Sequence, residues 1–312
     1  MNYKTTWNEK YRPTRLSHVV GQNMTLFENI KKTNQMTNLI IYGKAGVGKT
    51  SAIIALAYEL YKEKVEDAIL EVNASENRGI EIVREKILQF SKLITPTETP
   101  NFKIIILDEA DALTNECQNA LRRVIEEAIN TRFVFICNNV HKIIEPLKSR
   151  CVMIKFKQIK PEFCIKKLMD ISRIEKLNIP EDAITHIIKL TDGDLRESIL
   201  FLQNLKFLSN TQIINEELIY EIKNIMPYDI FKALMLNIKN IEDVLTYSKN
   251  LLQKGYLLQS ILNNFITYTV ELDTADNVKA NIFLELSNVE KNINNNADTH
   301  IILIKLLSIF IQ

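Results

Sequence analysis

Through the first half of the chain, short β-branched apolar runs alternate with stretches of helical periodicity. The runs at residues 38–42, 68–72, 103–107, 132–137 and 152–156 are apolar almost end to end. A strand wet on one face alternates polar and apolar positions, so continuous runs predict buried parallel strands covered by crossover helices. Five such strands make one α/β domain, assigned to residues 1–158. Residues 92–101, with two prolines and three threonines, read as an exposed loop before the third strand.

Beyond residue 158 the strand signal stops and everything reads as helix. Pro161 opens a stretch to Leu177, and Pro180 starts a second helix where its missing N–H costs nothing. Asp192 and Gly193 end that helix, and Asp194 caps a third running to about Leu208. These three helices predict a small bundle over 159–224. Longer helices follow at 229–238, 241–254 closed by Gly255, and 257–272, with two more to the carboxyl end. Dense Leu, Ile and Phe over 301–311 predict a self-contained core for a third part, 225–312. The fold class is therefore α/β followed by all-α.

Composition narrows the possibilities. At 312 residues and 46% hydrophobic content the chain can bury a core in each part. Its 39 Lys plus Arg nearly balance 38 Asp plus Glu, which argues against coating nucleic acid or an anionic membrane by bulk charge. Any DNA contact must be a local patch. Cys117, Cys137, Cys151 and Cys164 lie far apart with no C-x-x-C pair, which predicts reduced thiols and an intracellular protein. Neither a secretory leader nor a run of about 18 apolar residues is visible, so no membrane association is expected.

The chemistry begins directly after the first run. Gly43, Lys44, Ala45, Gly46, Val47, Gly48, Lys49 and Thr50 spell G-x-x-x-x-G-K-T, and a helix follows from Ser51. Glycines let backbone N–H groups turn inward around phosphates at a helix N-terminus, Lys49 adds a point charge, and Thr50 offers a hydroxyl to Mg²⁺. The run 103–107 delivers Asp108 and Glu109 at the end of a neighbouring strand. Asp108 is expected to organise the metal and Glu109 to polarise the attacking water, since phosphoryl transfer needs positioning and charge more than covalent chemistry. ATP and Mg²⁺ are the expected ligands. Residues 108–111 also spell the DEAD string of a helicase family, but the other motifs of that family are missing and the second half lacks strands.

Several further strings, in order and spacing, resemble the small subunits of replication factor C, the AAA+ sliding-clamp loaders. They are WNEKYRP at 7–13, Val20-Gly21-Gln22, LEVNASENRGI at 70–80, LDEADAL at 107–113, QNALRR at 118–123 and IIEPLKSRC at 143–151. The match runs to about residue 200. It implies an AAA+ ATP-binding domain, a helical lid and a helical collar that joins subunits. Tyr11, Arg12 and Pro13, with Val20 and Gly21, would flank the adenine. Asn138 would be the sensor of the γ-phosphate, and Arg196 the second sensor at the start of a lid helix. Arg150 would be an arginine finger acting in trans on a neighbour's site. Arg78, Arg84, Lys86 and Thr114 would track DNA phosphates. The implied partners are the other subunits of a five-membered ring, a PCNA-like sliding clamp and primer-template DNA, at the site of DNA replication. Lys44-Ala45 stands where the family usually has Pro-Pro, Val47 replaces Thr, and residue 76 is Glu where Asp is common. None of these changes removes a phosphate or metal ligand.

Overall fold

A computed structural model describes residues 6–75, 80–93, 100–208, 214–295 and 297–310, with side chains 80–84 excluded. Arg78, residue 76, the Arg84 side chain and most of the expected 92–101 loop therefore lie outside the described residues. The chain divides into two compact units, Met1–Ile213 and Ile214–Gln312.

The five expected strands form one parallel sheet: β1 Leu39–Tyr42, β2 Ile69–Asn73, β3 Lys103–Asp108, β4 Thr131–Cys137 and β5 Val152–Lys155, in the order β2-β3-β4-β1-β5. The helices of this unit are α1 Trp7–Lys10, α2 Thr25–Thr33, α3 Lys49–Tyr61, α4 Val65–Ala68, α5 Ile80–Lys92, α6 Asn115–Glu127, α7 Glu145–Lys148, α8 Pro161–Ile174, α9 Glu181–Leu190 and α10 Leu195–Leu208. Ile40, Ile105, Leu107, Phe133 and Phe135 pack with Leu121 and Val124 of α6 in one core. Because strand side chains alternate, the buried Leu39, Ile41, Ile104, Ile106, Val134 and Ile136 serve the opposite face. Both faces of the inner strands are dry, which is why their sequences read as unbroken apolar runs.

The fifth strand departs from that expectation. β5 is an edge, and Val152 and Met153 are 46% and 52% exposed. An apolar run reports strand propensity, whereas burial depends on having a neighbour on each side. The second run is also shifted, since Ala68 closes α4 before β2 begins. Pro180 stands just outside α9 as its N-cap, with φ −74°, rather than inside the first turn.

Lys103, at the start of β3, is buried, and its ammonium donates to the carbonyls of Phe90 and Leu93 at the end of α5. It adds a charged donor to carbonyls at the helix end, where the Phe90 carbonyl also accepts from the Leu93 N–H at 3.2 Å, and burial pulls the Lys103 pKa down. The second unit comprises α11 Glu216–Lys223, α12 Tyr228–Asn237, α13 Ile241–Lys254, α14 Leu258–Glu271, α15 Asp276–Asn294 and α16 Thr299–Ser308. α11 was not expected. Gly255 closes α13 in the left-handed conformation, as the sequence suggests. Among the described residues no helix is long and apolar enough to cross a membrane, and all four cysteines are free thiols.

Candidate nucleotide site

Parallel strands end together, so the segments that follow them share one edge of the sheet. Tyr42 pairs with Cys137, and Leu107 with Phe135, which brings Gly43, Asp108 and Asn138 to that edge. Gly43 passes so near the end of β5 that a Cβ there would stand 2.3 Å from the Phe156 carbonyl oxygen. At Gly46 a Cβ would stand 1.9 Å from Asp194 Oδ1, so the loop lies directly against the start of α10. The phosphate loop then runs into α3, whose first-turn N–H groups have no carbonyl within the helix to bond.

Lys49 is only 8% exposed. Its ammonium donates to the carbonyls of Gly43 at 2.8 Å and Lys44 at 2.7 Å, and to Asn138 Oδ1 at 2.8 Å. Burial lowers the Lys49 pKa, and the Asp108 carboxylate nearby opposes that shift. The Thr50 hydroxyl donates to Asp108 Oδ2 at 2.8 Å. Two hard oxygen donors held this close fit Mg²⁺, which prefers carboxylate and hydroxyl oxygen and keeps several waters. Glu109, beside them, holds φ 53°, a left-handed conformation that costs a non-glycine residue about 1–2 kcal/mol. Its backbone N–H donates to Asp108 Oδ1 at 2.9 Å, so the strained corner also orients the metal-ligand candidate.

Two side chains that belong to the motif strings hold this edge together. Asp111 Oδ2 accepts from the Asn139 backbone N–H at 3.0 Å, which fixes the turn that presents Asn138. Buried Gln118 donates to the carbonyls of Leu113 and Lys142 and accepts from the Ile144 N–H, joining α6 to the segment after β4. Gln22 does similar work on the other side: its amide donates to the Lys157 carbonyl at 2.7 Å and accepts from the Lys157 N–H at 3.2 Å. That pairing holds the Val20–Gly21 segment against the end of β5.

One cleft gathers most of the candidates. Tyr11, Arg12, Pro13, Val20, Ala45, Gly46, Val47, Gly48, Lys49, Thr50, Ser51, Asp108, Glu109, Asn138 and Arg196 all line it. Gly43 and Lys44 join through their carbonyls on Lys49, while the exposed Lys44 ammonium pairs with Asp192 at 3.0 Å. Gly21 lies just outside the lining, its Cα facing Ile159. His18, Lys167, Leu195 and Ile199 also line the cleft and were not anticipated. Leu195 and Ile199 are four residues apart on α10, one helix face, and flank Arg196. That spacing was available as a signal once Arg196 was chosen, whereas nothing local marks Lys167.

The family model for AAA, the ATPase family associated with various cellular activities, matches residues 39–159, and the replication factor C C-terminal domain matches residues 225–308. The chain is 36% identical to replication factor C subunit 2 of Schizosaccharomyces pombe, covering 97% of this chain and 92% of that protein. It is also 36% identical to replication factor C subunit 4 of Homo sapiens, covering 98% and 88%. With the replication factor C small subunit of Picrophilus torridus it shares 42% identity over 73% of this chain and 72% of that one. The chain belongs to the replication factor C small-subunit family.

Membership in the replication factor C family makes the chain a nucleotide-binding AAA ATPase of DNA replication. The solved structure of RuvB, the Holliday junction branch migration motor of Thermotoga maritima, superposes with a TM-score of 0.57 at 17% identity, covering 69% of this chain and 74% of that one. That likeness is one of fold. Arg150, the finger expected from the replication factor C resemblance, does not line this chain's own cleft. Its guanidinium donates to Glu126 Oε1 from Nε at 3.0 Å and Nη2 at 2.7 Å, and to the Pro146 carbonyl at 2.9 Å. The bond from Arg150 holds the Glu126 carboxyl below its ordinary range. Of the DNA candidates, Lys86 is exposed on α5, and Thr114 is the exposed N-cap of α6, its hydroxyl accepting from the Cys117 N–H at 3.3 Å.

Proposed function

We propose that this chain is a clamp-loader subunit that hydrolyses ATP while loading a PCNA-like sliding clamp onto primer-template DNA. The observation that carries the reading is the convergence of Lys49, Thr50, Asp108, Glu109 and Asn138 at one edge of the sheet, in a chain of replication factor C sequence.

The chain's own residues have distinct tasks in this scheme. The loop from Gly43 to Gly48 cradles the phosphates with backbone N–H groups, and Lys49 neutralises charge between them. Thr50 and Asp108 would hold Mg²⁺, which when bound neutralises the phosphate oxygens. Glu109 positions and polarises water for in-line attack, and Asn138 orients that water against the terminal phosphate. Tyr11, Arg12, Pro13, Val20 and Gly21 form the adenine side, and Arg196 reaches the phosphates from α10. Arg150 completes a neighbouring subunit's site, where a guanidinium stabilises the charge that spreads in the transition state.

The proposed division of labour is an ATP-binding domain at 1–158, a lid at 159–224 and a collar at 225–312 within a five-membered ring. Arg78, Arg84, Lys86 and Thr114 line its inner surface and follow phosphates without reading bases. ATP, clamp and DNA then favour the same ring arrangement, and hydrolysis removes one of those biases. The test is ATP turnover by the assembled complex, with and without a sliding clamp and primed DNA. Turnover should rise when clamp and primed DNA are both present and fall about 10²-fold or more in Glu109→Gln. Unchanged turnover in that variant, or indifference to clamp and primed DNA, would overturn the reading.

A further inference from the structure

The segment carrying Tyr11, Arg12 and Pro13 belongs to no strand of the sheet. A carboxylate on the helices that follow ties it down. Glu175 Oε1 accepts from the Lys10 ammonium and from the Tyr11 hydroxyl, each at 2.5 Å, and Glu175 Oε2 accepts from the Lys206 ammonium. The Glu175 side chain is only 8% exposed, so these three donors replace its water. Trp7 completes the seam: its backbone N–H donates to Gln203 Oε1 at 2.9 Å, and the Lys206 ammonium lies 5.4 Å from its ring centroid.

Local rules do not account for Glu175. It is the C-cap residue of α8, where the negative end of the helix dipole disfavours a carboxylate. Burial pushes the carboxyl pKa up, yet hydrogen bonds from Lys10, Lys206 and Tyr11 together outweigh it and bring the value down to about 2. The groups tied together belong to two separate segments that line the same cleft. Tyr11 lines it directly, while Lys206 and Gln203 belong to α10, whose first turns supply Arg196 and Ile199 to the same cleft.

We propose that Glu175 is a positioning residue for nucleotide binding, holding the Tyr11–Pro13 segment and α10 at the separation at which both close on one adenine nucleotide. The proposal rests on the ATP-binding reading above and deepens it. Glu175 touches no reacting atom, so its loss acts on affinity and leaves the chemical step alone.

The test uses the full chain for ATP affinity by calorimetry and the assembled complex for KM and kcat. Trp7, the one tryptophan in the sequence, serves as the built-in reporter. Glu175→Ala should weaken ATP binding about tenfold and raise KM by a similar factor, with kcat within about twofold. Tyr11→Phe should weaken binding about threefold, and the double variant little more than Glu175→Ala alone, because both cut the same tie. Trp7 emission should shift to the red in Glu175→Ala and lose its response to ATP. If Glu175→Ala does not fold, Glu175→Gln and Tyr11→Phe decide by the same readouts. Variants that bind ATP within twofold of the parent, or that lose kcat with KM unchanged, would overturn the proposal while leaving the ATPase reading intact. A parent chain that binds no ATP would overturn the reading itself, and this proposal with it.

Discussion

The two units differ in where their polar side chains converge. In the first, Lys49 bonds Asn138 across 89 positions of sequence and Thr50 bonds Asp108 across 58, so distant polar groups meet at a cleft. In the second, many polar bonds close within a turn. Asn240 and Asp243 form a reciprocal capping box on α13, Asn215 caps α11, and Asp298 caps α16. Buried Thr269 donates back to the Phe265 carbonyl four residues earlier, at 2.7 Å. The core of the second unit is instead a ring cluster, with Phe231 edge-on to Phe265 at 4.8 Å and Phe265 stacked on Phe310 at 5.1 Å. Chemistry demands convergence of polar groups, whereas a helical scaffold needs only its helix ends satisfied and its apolar faces matched.

Substitutions that act on one side of this contrast can break it. The largest effect is expected for Arg150→Ala in the assembled complex, where ATP turnover should fall about 10³-fold or more while ATP affinity of the chain by itself is unchanged. Equal turnover would mean that the Glu126 pairing is the whole role of Arg150. Next comes Phe265→Ala, which should lower stability in denaturant titration by about 3–5 kcal/mol. ATP affinity measured well below the transition should stay within about twofold, and a large loss would show that the two units are not energetically separate.

A pH experiment sharpens the first unit's side. Glu175 has its pKa lowered to about 2 from 4.5, so its contribution to stability is complete above pH 4.5 and is lost as pH falls toward 2. Thermal unfolding followed down that range should show a steeper decline in the parent than in Glu175→Gln, which has no proton to gain. The smallest effects belong to helix caps, about 1 kcal/mol each for Asn240→Ala and Thr114→Ala. Similar values in both units would show that caps are local devices. Thr114→Ala should also weaken binding of the assembled complex to primed DNA, measured by fluorescence anisotropy, if its exposed position faces phosphate.

Much of the architecture was readable because it obeys short-range rules. The five strands were visible as apolar runs, α8 to α10 and α12 to α14 through their proline, glycine and aspartate punctuation, and the phosphate loop through its glycine spacing. β5 was misjudged as buried because its residues match those of an inner strand, and only the strand order reveals an edge. α11 is amphipathic, with Leu218, Ile219 and Ile222 on one face and Asn215 as its cap, but its 8 residues make only about two turns beside a domain boundary, too short to stand out in the pattern. Asp111 and Gln118 belong to the motif strings, yet their physical work is to bond Asn139, Leu113, Lys142 and Ile144.

The order of amino acids by itself determined the elements, the phosphate loop, the acidic pair after β3 and the family, since each depends on residues adjacent or a few positions apart. Only the tertiary structure decided that Asp194 lies against Gly46, that Arg150 turns to Glu126 rather than to its own cleft, and that Glu175 gathers Lys10, Tyr11 and Lys206. These are bonds between groups brought together by strand register and helix packing. Periodicity specifies which face of an element is buried, but it does not specify which distant side chain waits there.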